Sequence, residues 1–395
     1  MKRSTDRILT THAGRLDGPQ DLMQMTREIM AGRSIEPEVL RPRLRSGMID
    51  VIRKQAEAGI DIISDGELSK FGFGSMAYYA RRLSGLGTRA LKQGEAAFMA
   101  LQTNERIEFA EFYKDLQFLP APPVRTICNG PITYIGQQEI EQDLQSFKSA
   151  LGEANVRVEE TFICVLAPGW LEHFFYNEHY STDEEYLFAL ADAIKHEYKA
   201  VVDAGFILQI DDPALPDTYD MIVPAPSIEE YRKFAAVRVE ALNHALQGLP
   251  EDRVRYHICW GSWHGPHTHD LPLKNVVDLM LSVQAGAYSV EAANPRHEHE
   301  WKVWKEVKLP ENKILIPGVV SHASNVVEHP ELVADRIIQY AHLVGRENVI
   351  AGTDCGMGMR VHPQIAWAKL RALAEGAALA TKQLFLHSTN VQWRM

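Results

Sequence analysis

Cysteine is scarce in this sequence, with only four in 395 residues. Four cysteines are too few for a disulfide framework in a chain of this length, so we expect a reducing cytoplasm, where a cysteine is free, catalytic or bound to a metal. The sequence also lacks any apolar run near the roughly 18 residues of a transmembrane helix, and its N-terminus lacks the apolar segment of a signal peptide. These absences predict a cytoplasmic protein without a membrane partner.

Positive charge is in deficit as well. The chain has 41 Lys and Arg against 52 Asp and Glu, a net charge of −11, and no run rich in Lys or Arg. This balance argues against a nucleic-acid partner. No G-x-G-x-x-G motif follows the first predicted strand, which argues against a dinucleotide-binding fold. No low-complexity segment or linker divides the chain, so we expect one catalytic domain over residues 1–395.

Apolar, strand-like runs alternate with segments of helical periodicity, a pattern that predicts an α/β fold with a parallel sheet. The runs cover 8–14, 60–67, 124–131, 161–168, 206–213, 254–261, 287–291, 314–320 and 349–356. The helices are predicted at 19–32, 36–59, 137–155, 182–205, 227–246, 271–285, 298–307, 330–344 and 363–384. Chain length and this repetition favour a (β/α)8 TIM barrel over a doubly wound sheet.

Nine runs are one too many for such a barrel. Of these, 161–168 is the weakest, and we interpret it as a loop or an extra element. Residues 84–120 are irregular and rich in Gly and Gln. They predict an inserted excursion, a hairpin that leaves the barrel.

Polar residues accumulate where the predicted strands end. In a TIM barrel the active site lies at the C-terminal ends of the strands. A single Cys on a strand is usually a core residue, and a single carboxylate at a strand end is often a helix cap. Because so many such residues share one end of the barrel, they predict a site: His12, Glu67, Asp211, Asp212, His257, Cys259, Glu291, Asp354 and Cys355.

Four of these residues predict a metal centre. His257 and Cys259 point the same way because side chains alternate along a strand. Glu291 and Cys355 come from later strands. Two thiolates, one imidazole and one carboxylate suit zinc better than magnesium or calcium, because sulfur is a soft ligand.

Two cysteines and three histidines lie outside the predicted set of metal ligands. Cys128 and Cys164 are not accompanied by other candidate metal ligands, so we predict that they are core residues. A rival cluster of His264, His267 and His269 lies in a loop rich in Gly and Pro. We expect it on the surface or behind the metal ligands.

The same residues resemble a known family. His257, Cys259, Glu291 and Cys355 are similar to the zinc ligands of the cobalamin-independent methionine synthases. The segments 65–67, 130–133, 209–214 and 353–356 also resemble segments of that family, in the same order. The likeness covers only the catalytic C-terminal barrel. Short members include archaeal-type methionine synthases and the epoxyalkane:coenzyme M transferases, and the runs 291–301 and 327–332 look closer to the second branch.

The resemblance implies a zinc-dependent thiol alkyltransferase. Zn²⁺ would bind a small-molecule thiol as a thiolate, which attacks the carbon of an alkyl donor to give a thioether. Glu67 and Asp211 match positions that hold the amino group of homocysteine, and we assign them substrate-binding and catalytic roles. His12 and Arg15 complete the predicted substrate-binding set. Arg15 stands where a Ser is common and suits an anionic substrate group.

His322 is the third predicted catalytic residue. The family carries a His after the seventh barrel strand, thought to help protonate the leaving folate. His322 lies about one residue out of register with it, and such a shift turns a strand side chain to the other face. Methylfolate as the donor is therefore left open.

Three other functions remain as alternatives to methylation of a homocysteine-like thiol. The first is epoxyalkane:coenzyme M-type ring opening, in which a basic residue such as Arg15 or Lys70 would meet the sulfonate. The second is a zinc hydrolase using His257, Glu291 and a water, which two thiolates disfavour by making zinc less Lewis-acidic. The third is a non-enzymatic zinc- or thiol-binding protein, which the acidic residues argue against. Trp301, Trp304 and the excursion are candidate contacts in a homo-oligomer.

Overall fold

The computed structural model describes residues 1–30, 33–70, 75–116 and 124–386. Its strands are β1 (Leu9–Thr10), β2 (Ile62–Ser64), β3 (Leu86–Ala90), β4 (Val124–Cys128), β5 (Glu160–Leu166), β6 (Tyr176–Asn177), β7 (Ile207–Asp211), β8 (Val254–Ile258), β9 (Ala287–Val290), β10 (Ile314–Val320) and β11 (Ile350–Thr353). Eight of them form a parallel sheet in the order β1-β11-β10-β9-β8-β7-β5-β2.

This sheet curls into a nearly closed barrel. β1 and β2 are its two edges, and the Asp61 N–H donates to the Thr10 carbonyl at 3.2 Å between them. The Thr10 N–H donates in turn to the Asp61 carboxylate at 2.9 Å. The predicted (β/α)8 TIM barrel is therefore confirmed.

The ninth strand-like run is β4 and not the run at 161–168. β5 lies in the barrel wall between β2 and β7, so the interpretation of 161–168 as a loop or extra element was wrong. β5 is buried from Phe162 to Leu166, as expected for a strand covered on both faces. β4 instead belongs to a small sheet with β3 and β6, and its first three residues are half-buried.

The excursion is confirmed as a hairpin outside the barrel. β3 pairs antiparallel with β4, from Leu86 opposite Cys128 to Ala90 opposite Val124. The returning strand thus lies beyond the predicted boundary at residue 120. The end of the predicted excursion, 117–120, lies outside the described residues.

The wall strands are separated by α-helices, except that a 3-10 helix lies between β9 and β10. The α-helices are α1 (Gln20–Met30), α2 (Pro37–Glu57), α3 (Met76–Ala80), α4 (Asn104–Glu108), α5 (Ala110–Asp115), α6 (Gln137–Ala154), α7 (Pro168–Leu171), α8 (Asp183–Asp203), α9 (Ala214–Met221), α10 (Ile228–Leu246), α11 (Val277–Leu281), α12 (Pro330–Val344) and α13 (Pro363–Thr381). The predicted helix 298–307 is a 3-10 helix at Glu298–Lys305, and the predicted helix 271–285 is reduced to a 3-10 turn at Leu273–Asn275 and the short α11. Such 3-10 segments are frequent connectors, and Glu300 ties the two together by accepting the Leu273 N–H at 2.7 Å.

The barrel interior is apolar at one level and polar above it. Seven wall strands contribute one buried cluster, made of Leu9, Ile62, Phe162, Cys164, Ile207, Ala287, Ile314, Ile316 and Ile350. The buried Arg255 guanidinium lies over the Phe162 ring at 3.5 Å and donates to Thr11 and to the His12 carbonyl. Burial lowers the pKa of Arg255 to about 10. This arginine forms the floor of the polar end, where β-strands of the barrel present their C-terminal residues.

None of the helices in the described ranges is long and apolar enough to span a bilayer.

Candidate metal centre

His257, Cys259 and Cys355 meet at the C-terminal end of the barrel. His257 lies on β8, Cys259 follows that strand, and Cys355 follows β11. Their ligand atoms lie within 4.8 Å of one another, and the two sulfurs are 3.6 Å apart. The Ser289 hydroxyl lies 3.1 Å from His257 Nδ1, while the buried His257 Nε2 has no hydrogen-bond partner in the part of the chain that the structure describes. An unpartnered imidazole nitrogen beside two sulfurs fits a tetrahedral zinc site.

The Cys259 and Cys355 sulfurs lie in hydrogen-bond contact, 3.6 Å apart. The hydrogen-bond contact between the two sulfurs lowers the pKa of Cys355 well below its ordinary value and raises the pKa of Cys259 well above it. Burial opposes a charge on His257, yet the neighbouring Cys355 sulfur raises the pKa of this imidazole. Cys355 is therefore the easier of the two thiols to deprotonate, and a metal bound here would hold both sulfurs as thiolates.

Glu291 lies beside these three residues, but its carboxylate forms a separate cluster with His322 and Asp354. Its carboxylate accepts the Trp260 N–H and the Asn294 side-chain amide, each at 3.0 Å. Its carboxylate oxygens lie within 4.8 Å of His322 and Asp354 ligand atoms. Burial raises the pKa of Glu291 well above its ordinary value. The structure thus gathers three of the four predicted ligands, and the assignment of Glu291 stays a prediction.

Asp354 is a functional candidate that the sequence marked only by its place at a strand end. Its Oδ1 accepts the N–H groups of Ala292 and Ala293 at 2.7 and 2.9 Å. These bonds fix the backbone directly after Glu291. Burial raises the pKa of Asp354 to about 7.

His322 is fully buried, and neither of its ring nitrogens has a hydrogen-bond partner among the described residues. Burial lowers its pKa to about 4, so the ring is neutral at pH 7. The imidazole lies against Glu291 and Asp354. The one-residue shift seen in the sequence therefore does not turn His322 away from the centre.

A second group of polar side chains lies at the ends of β2, β5 and β7. Ligand atoms of Glu67, Cys164 and Asp211 lie within 4.8 Å of one another. Burial, followed by the charge of Glu67, raises the pKa of Asp211 to about 7. Gln209 donates to Asp211 at 2.6 Å. Cys164 is buried as predicted, but its thiol also lines this carboxylate pocket, which the sequence did not indicate.

Two cations border the carboxylate pocket. Lys70 is buried; burial opposes its charge, but Glu67 and Asp65 raise its pKa. Its ammonium donates to the Cys164 carbonyl. Arg15 donates to the Lys70 carbonyl and lies at the rim of the site.

His12 has both ring nitrogens engaged. Gln55 Oε1 lies 2.7 Å from Nε2, and the Gly14 N–H donates to Nδ1 at 3.1 Å. These contacts orient the loop that follows β1. The substrate-binding assignment of His12 stays a prediction, and no ring nitrogen is left free to contact a substrate.

The rival histidines do not form a common ligand group within the described residues. His264 contacts the His322 carbonyl at 3.3 Å, and His267 contacts Asp270 at 3.0 Å. His269 contacts Glu108. Each of the three imidazoles therefore contacts a different residue.

Gly14 is required by the carboxylate pocket. Its φ is +121°, and a Cβ there would lie 2.5 Å from the Cys164 sulfur and 2.7 Å from a Glu67 oxygen. We expect Gly14→Ala to lower the free energy of unfolding by more than Gly205→Ala, which has φ +89° but nothing within 4 Å. Gly205→Ala measures the backbone strain alone, about 1–2 kcal/mol. Urea unfolding of both variants checks this, and equal losses would show that the pocket tolerates the methyl group.

The buried His12 should make the metal-free protein less stable in acid. Burial lowers its pKa to about 3, from 6.5 when exposed. As the pH falls through 6.5, the unfolded chain binds a proton here that the folded chain does not, so stability is lost. Between pH 7 and pH 5 this loss amounts to about 2 kcal/mol. Urea unfolding at both pH values should show a smaller loss of unfolding free energy for His12→Gln than for the wild type. An equal loss in the two proteins would contradict the lowered pKa of His12.

Comparison with known proteins is consistent with this geometry. The family model described as cobalamin-independent synthase, catalytic domain, matches residues 171–379. A methionine synthase of Thermococcus kodakarensis is 24% identical over 382 residues, covering 95% of this chain and 94% of the relative. A 2-hydroxypropyl-CoM lyase of Xanthobacter autotrophicus is 24% identical over 374 residues, covering 88% and 87%.

Solved structures show the same fold. A B12-independent methionine synthase from Shewanella sp. W3-18-1, in complex with selenomethionine, has a TM-score of 0.72 at 19% identity and covers 96% of this chain and 99% of that chain. A putative vitamin-B12 independent methionine synthase from Listeria monocytogenes has a TM-score of 0.64 at 18% identity, covering 94% and 98%. The chain belongs to the cobalamin-independent methionine synthase family, as its motifs predict.

Proposed function

We propose that this chain is a zinc-dependent thiol alkyltransferase that methylates a homocysteine-like thiol. The observation that carries the proposal is the unpartnered, buried His257 Nε2 beside the Cys259 and Cys355 sulfurs. Family membership supports it, because methionine synthases are among the relatives. The small-molecule partners are then the acceptor thiol and an alkyl donor.

His257, Cys259 and Cys355 would hold the zinc ion, with Glu291 as the fourth ligand. A bound zinc ion would lower the pKa of a coordinated acceptor thiol and keep it deprotonated at neutral pH. The hydrogen bonds from Trp260 and Asn294 keep the Glu291 carboxylate oriented. These two donors would also pair the Glu291 carboxylate without a bond to the metal, so its position would be open to a substrate thiol.

The carboxylates of Glu67 and Asp211 supply the site for the amino group of the acceptor. They are close together, and their mutual repulsion helps to raise the pKa of Asp211. An ammonium group between them would relieve that repulsion and stabilise both charges. The two carboxylates therefore suit a thiol that carries an amino group better than a neutral thiol.

The reaction requires one proton to move. The acceptor loses its S–H proton, an S–C bond forms, the bond from carbon to the leaving group breaks, and the leaving group takes up a proton. His322 lies next to Glu291 and Asp354, and neither of its ring nitrogens has a hydrogen-bond partner among the described residues. The low pKa of His322 suits a neutral imidazole that relays a proton to the leaving group.

Thiol-driven opening of an epoxide is the second candidate. The similarity to a 2-hydroxypropyl-CoM lyase supports it at the same identity as the methionine synthase. Arg15, at the rim of the carboxylate pocket, would meet a sulfonate. In this reaction the thiolate attacks a ring carbon, a C–O bond breaks and the alkoxide takes up a proton.

We also propose that the protein works in the cytoplasm. All four cysteines are free thiols, which is compatible with a reducing compartment.

A screen of thiols against electrophiles tests the proposed function. Zinc-loaded protein would be incubated with homocysteine or 2-mercaptoethanesulfonate, each with a methylated pterin, a methylsulfonium or a short epoxide, and thioethers detected by mass spectrometry. We expect at least one pair of thiol and donor to give a thioether with the wild type. The Cys355→Ser variant should give no thioether from the same pair. Turnover without any thiol, or no product from any pair, would overturn the proposal.

A further inference from the structure

A buried network of carboxylates and imidazoles joins the segments that follow β8 and β9. Glu300 Oε2 lies 2.8 Å from His297 Nδ1, and the Asp270 carboxylate lies 2.9 Å from His297 Nε2. Asp270 also contacts His267 Nδ1 at 3.0 Å. The side chains of these four residues are at most 6% exposed. Because a carboxylate holds each nitrogen of His297, this imidazole has a fixed orientation.

The His297 ring supports Trp260, which directly follows Cys259. The two rings are stacked, with their centroids 3.7 Å apart and an angle of 18° between their planes. The Trp260 indole N–H donates to the Leu271 carbonyl at 2.7 Å, and the side chain is fully buried. The backbone N–H of Trp260 is one of the two donors to the Glu291 carboxylate. The stack with His297 therefore holds one of the groups that orient Glu291.

His297 also holds the second donor to Glu291. The Asn294 side-chain amide donates to Glu291 Oε2 at 3.0 Å, and the Asn294 carbonyl accepts the His297 N–H at 2.9 Å. Trp260 and Asn294 belong to different loops, which follow β8 and β9. Because His297 contacts both residues, it fixes the two donors of the Glu291 carboxylate relative to each other.

We propose that His297 is a positioning residue for Glu291, acting through Trp260 and Asn294. The inference rests on the proposed function, in which Glu291 is the fourth zinc ligand and gives up its place to the acceptor thiol. Groups that hydrogen-bond to a ligating carboxylate set its orientation and tune the affinity of the site for its metal. In the sequence, His297 is marked only as part of the run 291–301.

The simpler role for this network is to stabilise the two loops that follow β8 and β9. In that case the loss of His297 would disturb the whole metal centre, including Cys259 beside Trp260, and would weaken metal binding whether or not Glu291 is present. A positioning role acts through the Glu291 carboxylate alone. The two roles are therefore separated by comparing His297 variants in proteins with and without Glu291.

The test is a double-mutant cycle on the full chain. The affinity for Zn²⁺ is measured without any thiol, by competition against a chromogenic chelator. His297→Ala should weaken zinc binding about tenfold, because the Glu291 carboxylate is no longer held in one orientation. Glu291→Ala should weaken it by at least as much. In the Glu291→Ala background, His297→Ala should change the zinc affinity by less than about twofold, since its effect depends on a carboxylate that has been removed.

Three further variants support the comparison. His299→Ala is the matched control, because His299 is the same residue type two positions along the chain but is exposed, and this variant should bind zinc as the wild type does. His297→Phe keeps an aromatic ring against Trp260 without the two hydrogen bonds and should retain part of the affinity. Asn294→Ala removes one donor directly, and its effect should also depend on Glu291. It takes the place of His297→Ala in the cycle if that variant does not fold.

Loss of zinc affinity by the same factor in both backgrounds, or no loss on replacing His297 in the wild type, would overturn the positioning role and leave the alkyltransferase proposal intact. Unchanged zinc affinity in Glu291→Ala would also overturn it, because Glu291 would then not be a ligand of the centre. A wild-type protein that binds no zinc would overturn both the positioning role and the proposed function.

Discussion

Replacing Cys355 by serine should reduce bound zinc from about one ion per chain to nearly none. Cys355 is the easier of the two thiols to deprotonate, because its contact with Cys259 lowers its pKa well below the ordinary value. A serine hydroxyl stays protonated at neutral pH and is a poor ligand for zinc. Cys259→Ser should have a similar effect, because the two sulfurs are only 3.6 Å apart and would bind the same ion. Elemental analysis after dialysis measures the loss.

Cys128→Ala is the matched control for this experiment. Cys128 is also buried, but it lies on β4 in the small sheet and its sulfur contacts the Gly130 carbonyl at 3.3 Å. The variant should keep its zinc. Full zinc retention in both Cys259→Ser and Cys355→Ser would contradict the assignment of the metal centre.

Asp211→Asn and Glu67→Gln should each weaken binding of homocysteine by about 10- to 100-fold. Each change removes one of the two carboxylates that would face the amino group, in a pocket where Asp211 is shielded enough from water to have its pKa raised to about 7. The matched control ligand is 4-mercaptobutanoate, which has the same chain without the amino group. Calorimetric titration of the zinc-loaded variants with both thiols measures the difference.

The expected pattern is selective. Affinity for 4-mercaptobutanoate should change little in either variant, and the surface variant Asp203→Asn should bind homocysteine as the wild type does, since Asp203 is exposed and paired with Lys199. Equal losses for both thiols would show that Glu67 and Asp211 hold the structure of the pocket and do not bind the amino group.

The barrel was predictable from the sequence because each wall strand has its own apolar run and most of these runs are followed by a helix. The sequence-based prediction was wrong about which of the nine strand-like runs lies outside the barrel. β4 and β5 have similar composition, and the difference between them lies in pairing: β4 meets β3 in a hairpin, while β5 is hydrogen-bonded to β2 and β7. Pairing partners are set by distant segments, which local periodicity does not reveal.

The metal centre was predictable to the extent that its residues lie at strand ends. His257 and Cys259 share a strand face, and Cys355 follows another strand, so the barrel topology alone brings them together. The hydrogen bonds of Glu291 with Trp260 and Asn294 depend on how a loop folds after β9. The place of Cys164 beside Glu67 and Asp211 became visible only in three dimensions, because in the sequence it resembles an ordinary core cysteine.

The central claim is that this centre activates a thiol by binding it to zinc. X-ray absorption at the zinc edge, recorded with and without the cognate acceptor, tests it directly, because sulfur is distinguishable from nitrogen and oxygen by its longer bond of about 2.3 Å to zinc. We expect the protein alone to show two sulfur ligands, from Cys259 and Cys355, and the complex to show one more. An unchanged zinc environment at saturating thiol would contradict the claim.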